Sequence, residues 1–323
     1  VSYISPTGAK DQTYGSIIYC NGGNNIMRAN FGQDSTFQGT VSAGGNKDAS
    51  GLGDFKYAVP SGYNALCSKN LPLNVSSIIK PQKHFDTLTY TGNAGTDHDI
   101  TGLEFQPDLV WIKSRSQGSS NHGIVDSVRL DSGSHPMLYP NLTNAETVGG
   151  SYMDVGGGST PFLHNGIRVN NNTSGNNNGS TYVAWCWKVG GAAVTNNDGG
   201  IASSVSVNTE AGFSIGTFSG SGSSNTVGTG LDNTKVVILK NRSTGSTNWV
   251  FYHKIIDGSY DYMYLNLTNA NANSALSHTM TNTFKVGSNN DTNASGSNYV
   301  FYAWSEIPGY SKFGKYVGNG SAD

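Results

Sequence analysis

The chain is short of charge. Only 12% of its 323 residues are Asp, Glu, Lys or Arg, about half the ~25% of an ordinary globular domain. A net charge of −2 at pH 7 excludes a nucleic-acid protein held by phosphate contacts. Cysteine is equally scarce. Cys20, Cys67 and Cys186 are odd in number and form no Cys-x-x-Cys pair. That argues against a disulfide framework or a zinc site and for buried free thiols, one disulfide with a leftover thiol being the alternative. No apolar run approaches the ~18 residues of a membrane span, so membrane insertion is not expected. Helical periodicity is missing over windows of ~11 residues. There is also no charged region followed by an apolar one at the start, hence no signal peptide in view. The chain opens on Val1, and we read it as processed or as part of something longer.

What is present is small and polar. The 43 Gly, 40 Ser, 36 Asn and 27 Thr make about 45% of the chain, a composition suited to turns. The glycines follow no triplet period, which excludes collagen. Aromatic residues at 11%, with 17 Tyr and 5 Trp, exclude a disordered chain. These counts point to an all-β protein, long enough for two or three domains.

The chain repeats itself. Phe85-Asp-Thr-Leu-Thr-Tyr-Thr-Gly92 aligns with Phe213-Ser-Ile-Gly-Thr-Phe-Ser-Gly220, and Gly102-Leu103 with Gly230-Leu231. Leu109-Val-Trp-Ile-Lys113 aligns with Val236-Val-Ile-Leu-Lys240, and each is followed by an arginine, Arg115 and Arg242. Asn141-Leu-Thr-Asn-Ala145 recurs unchanged as Asn266-Leu-Thr-Asn-Ala270, and Tyr182-Val-Ala-Trp-Cys-Trp187 matches Tyr299-Val-Phe-Tyr-Ala-Trp304. Five blocks in one order, with the offset drifting from 128 to 117 residues, define two copies of one domain. We place them at 84–190 and 205–308, joined by a linker at 191–204. Each reads as short strands bounded by Gly, Asn and Ser, the pattern of a sandwich or jelly roll. Leu142 to Thr147, and its twin after Leu267, are read as single helical turns. Residues 309–323 have two readings. Tyr316-Val-Gly-Asn-Gly320 echoes Tyr90-Thr-Gly-Asn93 and opens a third copy, or the segment is the closing strand of the second.

Residues 1–72 do not match the repeats. Strands are expected at Ser16 to Tyr19, Ile26 to Phe31 and Phe55 to Ala58, with a turn at Pro60-Ser-Gly62 and a linker at 73–83. Here the residues carry a resemblance. Asn30-Phe31-Gly32-Gln33, Gly53-Asp-Phe-Lys-Tyr57 and Pro60-Ser-Gly-Tyr-Asn-Ala-Leu-Cys-Ser-Lys-Asn-Leu-Pro72 resemble the C-terminal part of SPRY-like domains of bacteriophage structural proteins. The sequence that follows, with Gly102-Leu-Glu-Phe-Gln-Pro-Asp-Leu-Val-Trp-Ile-Lys113 and Gly309-Tyr-Ser-Lys-Phe-Gly-Lys-Tyr-Val-Gly-Asn-Gly320, resembles a repeated β domain of unknown function that follows such SPRY-like domains in phage tail-fibre and virion proteins. A SPRY domain is longer than 72 residues, so its first half is missing, and Asp232-Asn-Thr-Lys235 replaces the Phe-Gln-Pro-Asp turn in the second copy. The resemblance implies a partial SPRY-like β-sandwich followed by two tandem jelly-roll-like β-sandwich repeats. It implies a location on the virion surface, outside the cell, and supplies no catalytic residue.

Candidate chemistry is thin. Asp97-His-Asp99 with Glu104 offers oxygen ligands for Ca²⁺, but lacks the alternation of an EF-hand loop, and Ser224-Asn-Thr226 stands there in the second copy. It reads as a solvated acidic turn, and no metal or cofactor is expected. The histidines (His84, His98, His122, His135, His164, His253 and His278) show no i, i+4 pair. His253 beside Lys254 is the one that would suit a site. A glycosidase needs two carboxylates ~5–10 Å apart. Asp126, Asp131, Asp154 and Glu210 are available, and none carries a motif. Gly220-Ser-Gly-Ser-Ser224 is no nucleophile elbow, and Gly156-Gly-Gly158 and Gly22-Gly23 are no phosphate loops. The ten Asn-x-Ser/Thr sequons are about the number this composition yields by chance.

Trp111, Trp185, Trp187, Trp249, Trp304 and Tyr302 would form a core or inter-domain contact, or a sugar-stacking platform. Glycan-binding residues would sit first in the loops at 114–122, 149–160 and 170–180. The expected protein is therefore a phage tail fibre or similar appendage that displays itself on the virion and attaches to host glycan. It would not be an enzyme. Its partners would be other virion proteins, copies of itself (such fibres are commonly trimers) and a host surface glycan, with no nucleic acid. The alternatives are a purely structural decoration or filament subunit and a polysaccharide depolymerase.

Overall fold

The computed structural model describes residues 31–37, 39–65, 78, 80–129, 135–149, 152–153 and 160–320, and structural statements refer to these. The chain divides into two compact units, Val1–Leu73 and Asn74–Asp323. In the first, the carboxylate of Asp48 accepts hydrogen bonds from the Ser50 and Leu52 amides at 2.9 Å and from the Ala65 amide at 2.8 Å. Gly32 and Gly53 take positive φ, and a Cβ on either would meet the Phe55 ring. The strand expected at Phe55 to Ala58 reduces to one bridge, Asn46 to Phe55. The Asn46 side chain also caps the Phe55 and Lys56 carbonyls, which removes the acceptors a longer ladder would use. The turn at Pro60 is present, closed by the Tyr63 amide on the Pro60 carbonyl at 3.2 Å. The strand expected at Ser16 to Tyr19 lies outside the described residues, as does all but Phe31 of the next.

The second unit is all-β. Its first half holds β1 (Phe85–Thr91), β2 (His98–Thr101), β3 (Leu109–Ser114), β4 (Gly123–Asp126), β5 (Phe162–Leu163), β6 (Gly166–Val169) and β7 (Thr181–Trp187). Next come β8 (Val194–Asn196), β9 (Ser203–Asn208), β10 (Phe213–Ser219), β11 (Asn225–Gly228) and β12 (Thr234–Asn241). The chain ends with β13 (Val250–His253), β14 (Asp261–Tyr264), β15 (Ala272–Asn273), β16 (Thr283–Val286) and β17 (Asn298–Ser305). A single 3-10 turn, Pro81–Lys83, precedes β1.

The repeat is visible in the topology. One sheet runs β1-β7-β3-β4, and the larger one contains β10-β17-β12-β13 in the same order. β2 pairs β6 as β11 pairs β16. The pairing agrees at residue level: Phe85 lies opposite Trp187 as Phe213 lies opposite Trp304. The small sheets β2-β6-β5 and β11-β16 cover one face of each large sheet.

Alternation along the strands decides what each face meets. Val110 and Ile112 point into the first core, while Leu109 and Trp111 belong to a cluster shared with the other copy. Likewise Val237 and Leu239 face the second core, and Ile238 the shared one. The second unit is thus four sheets deep with three cores, the middle one between the two copies.

Several segments differ from the sequence reading. The stretch 191–204 carries β8 and the start of β9, which extend the large sheet beside β10. β8 is short and largely exposed, and β9 offers only Val205 and Val207 between polar residues, so hydrophobicity announces them weakly. Residues 142–147 form no helical turn. The Leu142 amide closes a turn on Tyr139, and the chain then bridges Met137 to Thr147, as Tyr262 pairs Ala272 in the second copy. Residues 312–320 form no strand, after a bridge between Ile307 and Ser311.

Candidate functional site

Each copy is closed by the same latch. Tyr90 stacks on Tyr182 at 4.9 Å, and Phe218 on Tyr299 at 5.0 Å. The two hydroxyls accept the amides of Asn177 and Ala294. The buried Asn176 side chain accepts the Asn93 amide and donates to Gly95, and Asn293 does the same with Ser221 and Ser223. The identical Asn-Leu-Thr-Asn-Ala blocks also act alike. Asn141 accepts the His122 amide at 3.1 Å and Asn266 the Trp249 amide at 2.8 Å. Asn176 and Asn293 are fully buried, and all four amides are committed to holding the fold.

The aromatic residues of the expected platform divide. Trp187, Trp304, Tyr302 and Trp249 lie in the middle core, with Trp187 and Trp304 at 6.4 Å. The Trp249 indole donates to the Tyr139 carbonyl across the copies at 2.9 Å. Trp185 lies against Trp111, edge to face at 6.3 Å. A cavity of about 290 Å³ among Trp111, Trp187, Trp304 and Phe313 is wholly apolar, a lining without hydrogen-bonding groups for a sugar.

A buried ionic chain crosses the same seam. Arg129 donates to Asp126 at 2.6 Å and to Glu146 at 2.5 Å, and Arg242 of the second copy donates to Glu146 at 2.7 and 2.8 Å. Tyr302 donates to Asp126 at 2.7 Å. Burial would raise the Glu146 carboxyl, but the Arg242 and Arg129 guanidiniums outweigh it and hold it below the usual range. Beside it, the Lys240 ammonium donates to the carbonyls of Thr143 and Thr247, and burial lowers it to about 8. Asp126 is fully buried and committed to these bonds, so it meets no solvent.

The other sequence candidates are scattered. Glu210 is exposed, 3.8 Å from His84. Asp131, Asp154 and Gly156 to Gly158 lie outside the described residues, as do Gly22, Gly23, Cys20 and Cys67. Asp99 is gripped at both oxygens by Arg168, while Glu104 lies 4.0 Å from Lys80. His253 is buried, its ring against Asn271 at 3.0 Å and accepting the Ile255 amide. Burial lowers its pKa. Among the described residues no three His, Cys, Asp or Glu side chains gather to hold a metal.

An open polar slot lies on the second copy, between β13, β14 and the loop before β17. It holds about 220 Å³ and is lined by Tyr252, Tyr262, Tyr264, Asn289, Asp291 and Thr292, with Val250 and Leu276 at its walls. Tyr262 and Tyr264 meet edge to face at 5.5 Å. Asp291 accepts the Asn248 amide at 2.7 Å and its side chain at 3.3 Å. Each carboxylate oxygen has a second lone-pair direction. The slot comes from the loop equivalent to 170–180, but in the other copy.

Among the described residues, the matching place in the first copy is filled: Tyr152, 2% exposed, occupies it. Its ring lies where a Cβ on Gly123 or Gly175 would come to 2.7 Å from it. The counterparts of Gly123 and Gly175 by strand and loop register are Val250 and Thr292, and that of Met137, also at this place, is Tyr262.

The chain matches the model of a family described as a domain of unknown function, DUF7483, over residues 80–323. Neither the curated proteins nor the solved structures give a match. The match spans both copies and most of the sequence, and the chain belongs to the DUF7483 family.

Proposed function

We propose that this protein is a surface component of a phage virion, a tail fibre or similar appendage, that attaches to the host surface by binding glycan. The observation that carries the reading is the slot of the second copy, where tyrosine rings and the Asp291 carboxylate converge on a space of about 220 Å³. Rings that stack on sugar faces, with acceptors at their edge, are the means by which a rigid β scaffold holds carbohydrate. The scarcity of surface charge suits an interface that relies on stacking and hydrogen bonds. The resemblance of residues 30–72 and of the repeats to phage virion domains supports the virion part of the reading.

Labelled chain should bind a subset of bacterial strains saturably, with free surface polysaccharide competing. Binding to no strain in a broad panel would sink the reading. A second reading, a structural subunit that joins its neighbours edge to edge, is favoured by the terminal segment. There Tyr316 and Val317 are 93% and 91% exposed, although the matching Tyr90 is stacked and buried in the first copy. Concentration-dependent assembly in sedimentation, without cell binding, would favour it.

A further inference from the structure

Tyr152 gives a direct picture of what the second copy lacks. Its phenol ring fills the first-copy slot, its hydroxyl donates to the Asn121 carbonyl at 3.0 Å, and Ser174 lies within hydrogen-bonding reach of it. The counterpart of Asn121 is Asn248, and that of Ser174 is Asp291. The second copy closes the seat of that ring and leaves an open slot beside it. It replaces the two glycines that admit the Tyr152 ring by Val250 and Thr292, and sets a carboxylate where the hydroxyl would be bonded. Leu276 reaches the wall near Gly287, and the space remains open.

We propose that this slot is a binding site for one neutral hexopyranose residue. The proposal deepens the glycan-attachment reading and rests on it. A pyranose is a six-membered ring like the phenol, with apolar C–H faces for Tyr262 and Tyr264. It also carries hydroxyls around its rim, and two adjacent ones suit the free lone pairs of Asp291. A sugar acid or sulfated sugar would bring its charge against Asp291, and repulsion excludes it.

The test uses the full chain and saturation-transfer NMR with methyl hexopyranosides, methyl glucuronide and p-cresol, the side chain of tyrosine. At least one methyl hexopyranoside should bind and the glucuronide should not. Leu276→Trp should abolish binding by filling the slot. Tyr262→Met, which installs the first copy's own residue and so suits the fold, should weaken it about tenfold or more. Binding of p-cresol alone would overturn the sugar assignment. Binding of neither probe, or hexoside binding unchanged in both variants, would overturn the site. Cell attachment, measured on the same variants, separates the two ideas. Attachment that survives Leu276→Trp removes the slot and leaves the attachment reading. Hexoside binding by a chain that attaches to no cell removes attachment and leaves the slot.

Discussion

Cys186 sits at 0% exposure between the strands of the first core, and burial pushes its thiol up. A thiol reacts as the thiolate, so the peptide bearing Cys186 should resist alkylation in the native protein and label fully after unfolding, as read by mass spectrometry. Lys240 is the opposite case, a cation held in a buried place with its pKa lowered to about 8. The unfolded chain then binds more protons between that value and the ordinary 10.5, so stability should rise with pH from about 8 toward 10. The urea midpoint should show this rise, and Lys240→Met should flatten it. Single residues are also where the sequence is least legible. Asn141 and Asn266 stand out as an identical block, yet their amide latches are invisible without the fold. Tyr152 has no aligned partner to mark it. The visible hint is the pairing of Gly123 and Gly175 with Val250 and Thr292, since a side chain lost at two positions that converge in space makes room for another ring.

Strands are the best-read scale. β1 alternates because Leu88 and Tyr90 enter the first core while Thr87, Thr89 and Thr91 face out, and β3 and β12 run apolar because both their faces are covered. The copies agree even at the close approach that ends the first strand. A Cβ on Gly220 would come to 2.1 Å from the Ala294 carbonyl oxygen, and one on Gly92 to 2.3 Å from that of Asn177. Gly220→Ala should therefore cost about 1–3 kcal/mol by overpacking, whereas Gly258→Ala, with open space at its Cβ but positive φ, should lose only about 1 kcal/mol from backbone strain. Thermal melts of the two variants check the contrast. β8 and β9 escaped the sequence reading because their residues are mostly polar and their pairing, β8 on β9 and β9 on β10, is with later segments of the chain. Pairing to a neighbour, not hydrophobicity, makes them strands.

At the scale of the molecule, the two copies share a core, and that sharing has energetic consequences. Trp187, Phe213, Trp249 and Tyr302 of the seam are apolar surface that neither copy buries alone. Calorimetry of the chain should show the two copies melting together in one transition, and two well-separated transitions for them would refute a shared core. Arg129→Ala leaves Asp126 and Glu146 without their buried cation and should cost about 3–5 kcal/mol. The Glu146 carboxyl, held below its ordinary 4.5, stabilises the fold fully above that value and loses its contribution as pH falls through the lower, folded one. Glu146→Gln should remove that part of the acid sensitivity. The duplication was legible in the sequence, but the seam was not, because the aromatic residues that build it serve equally well as a platform until their neighbours are known. Tyr152 changes how the duplication should be counted. With the first copy's place taken by Tyr152, the proposed sugar site occurs in the second copy, once per chain where the duplication suggests two. Any gain from many weak contacts must then scale with the number of chains brought together, and a lone chain should titrate as a simple monovalent binder.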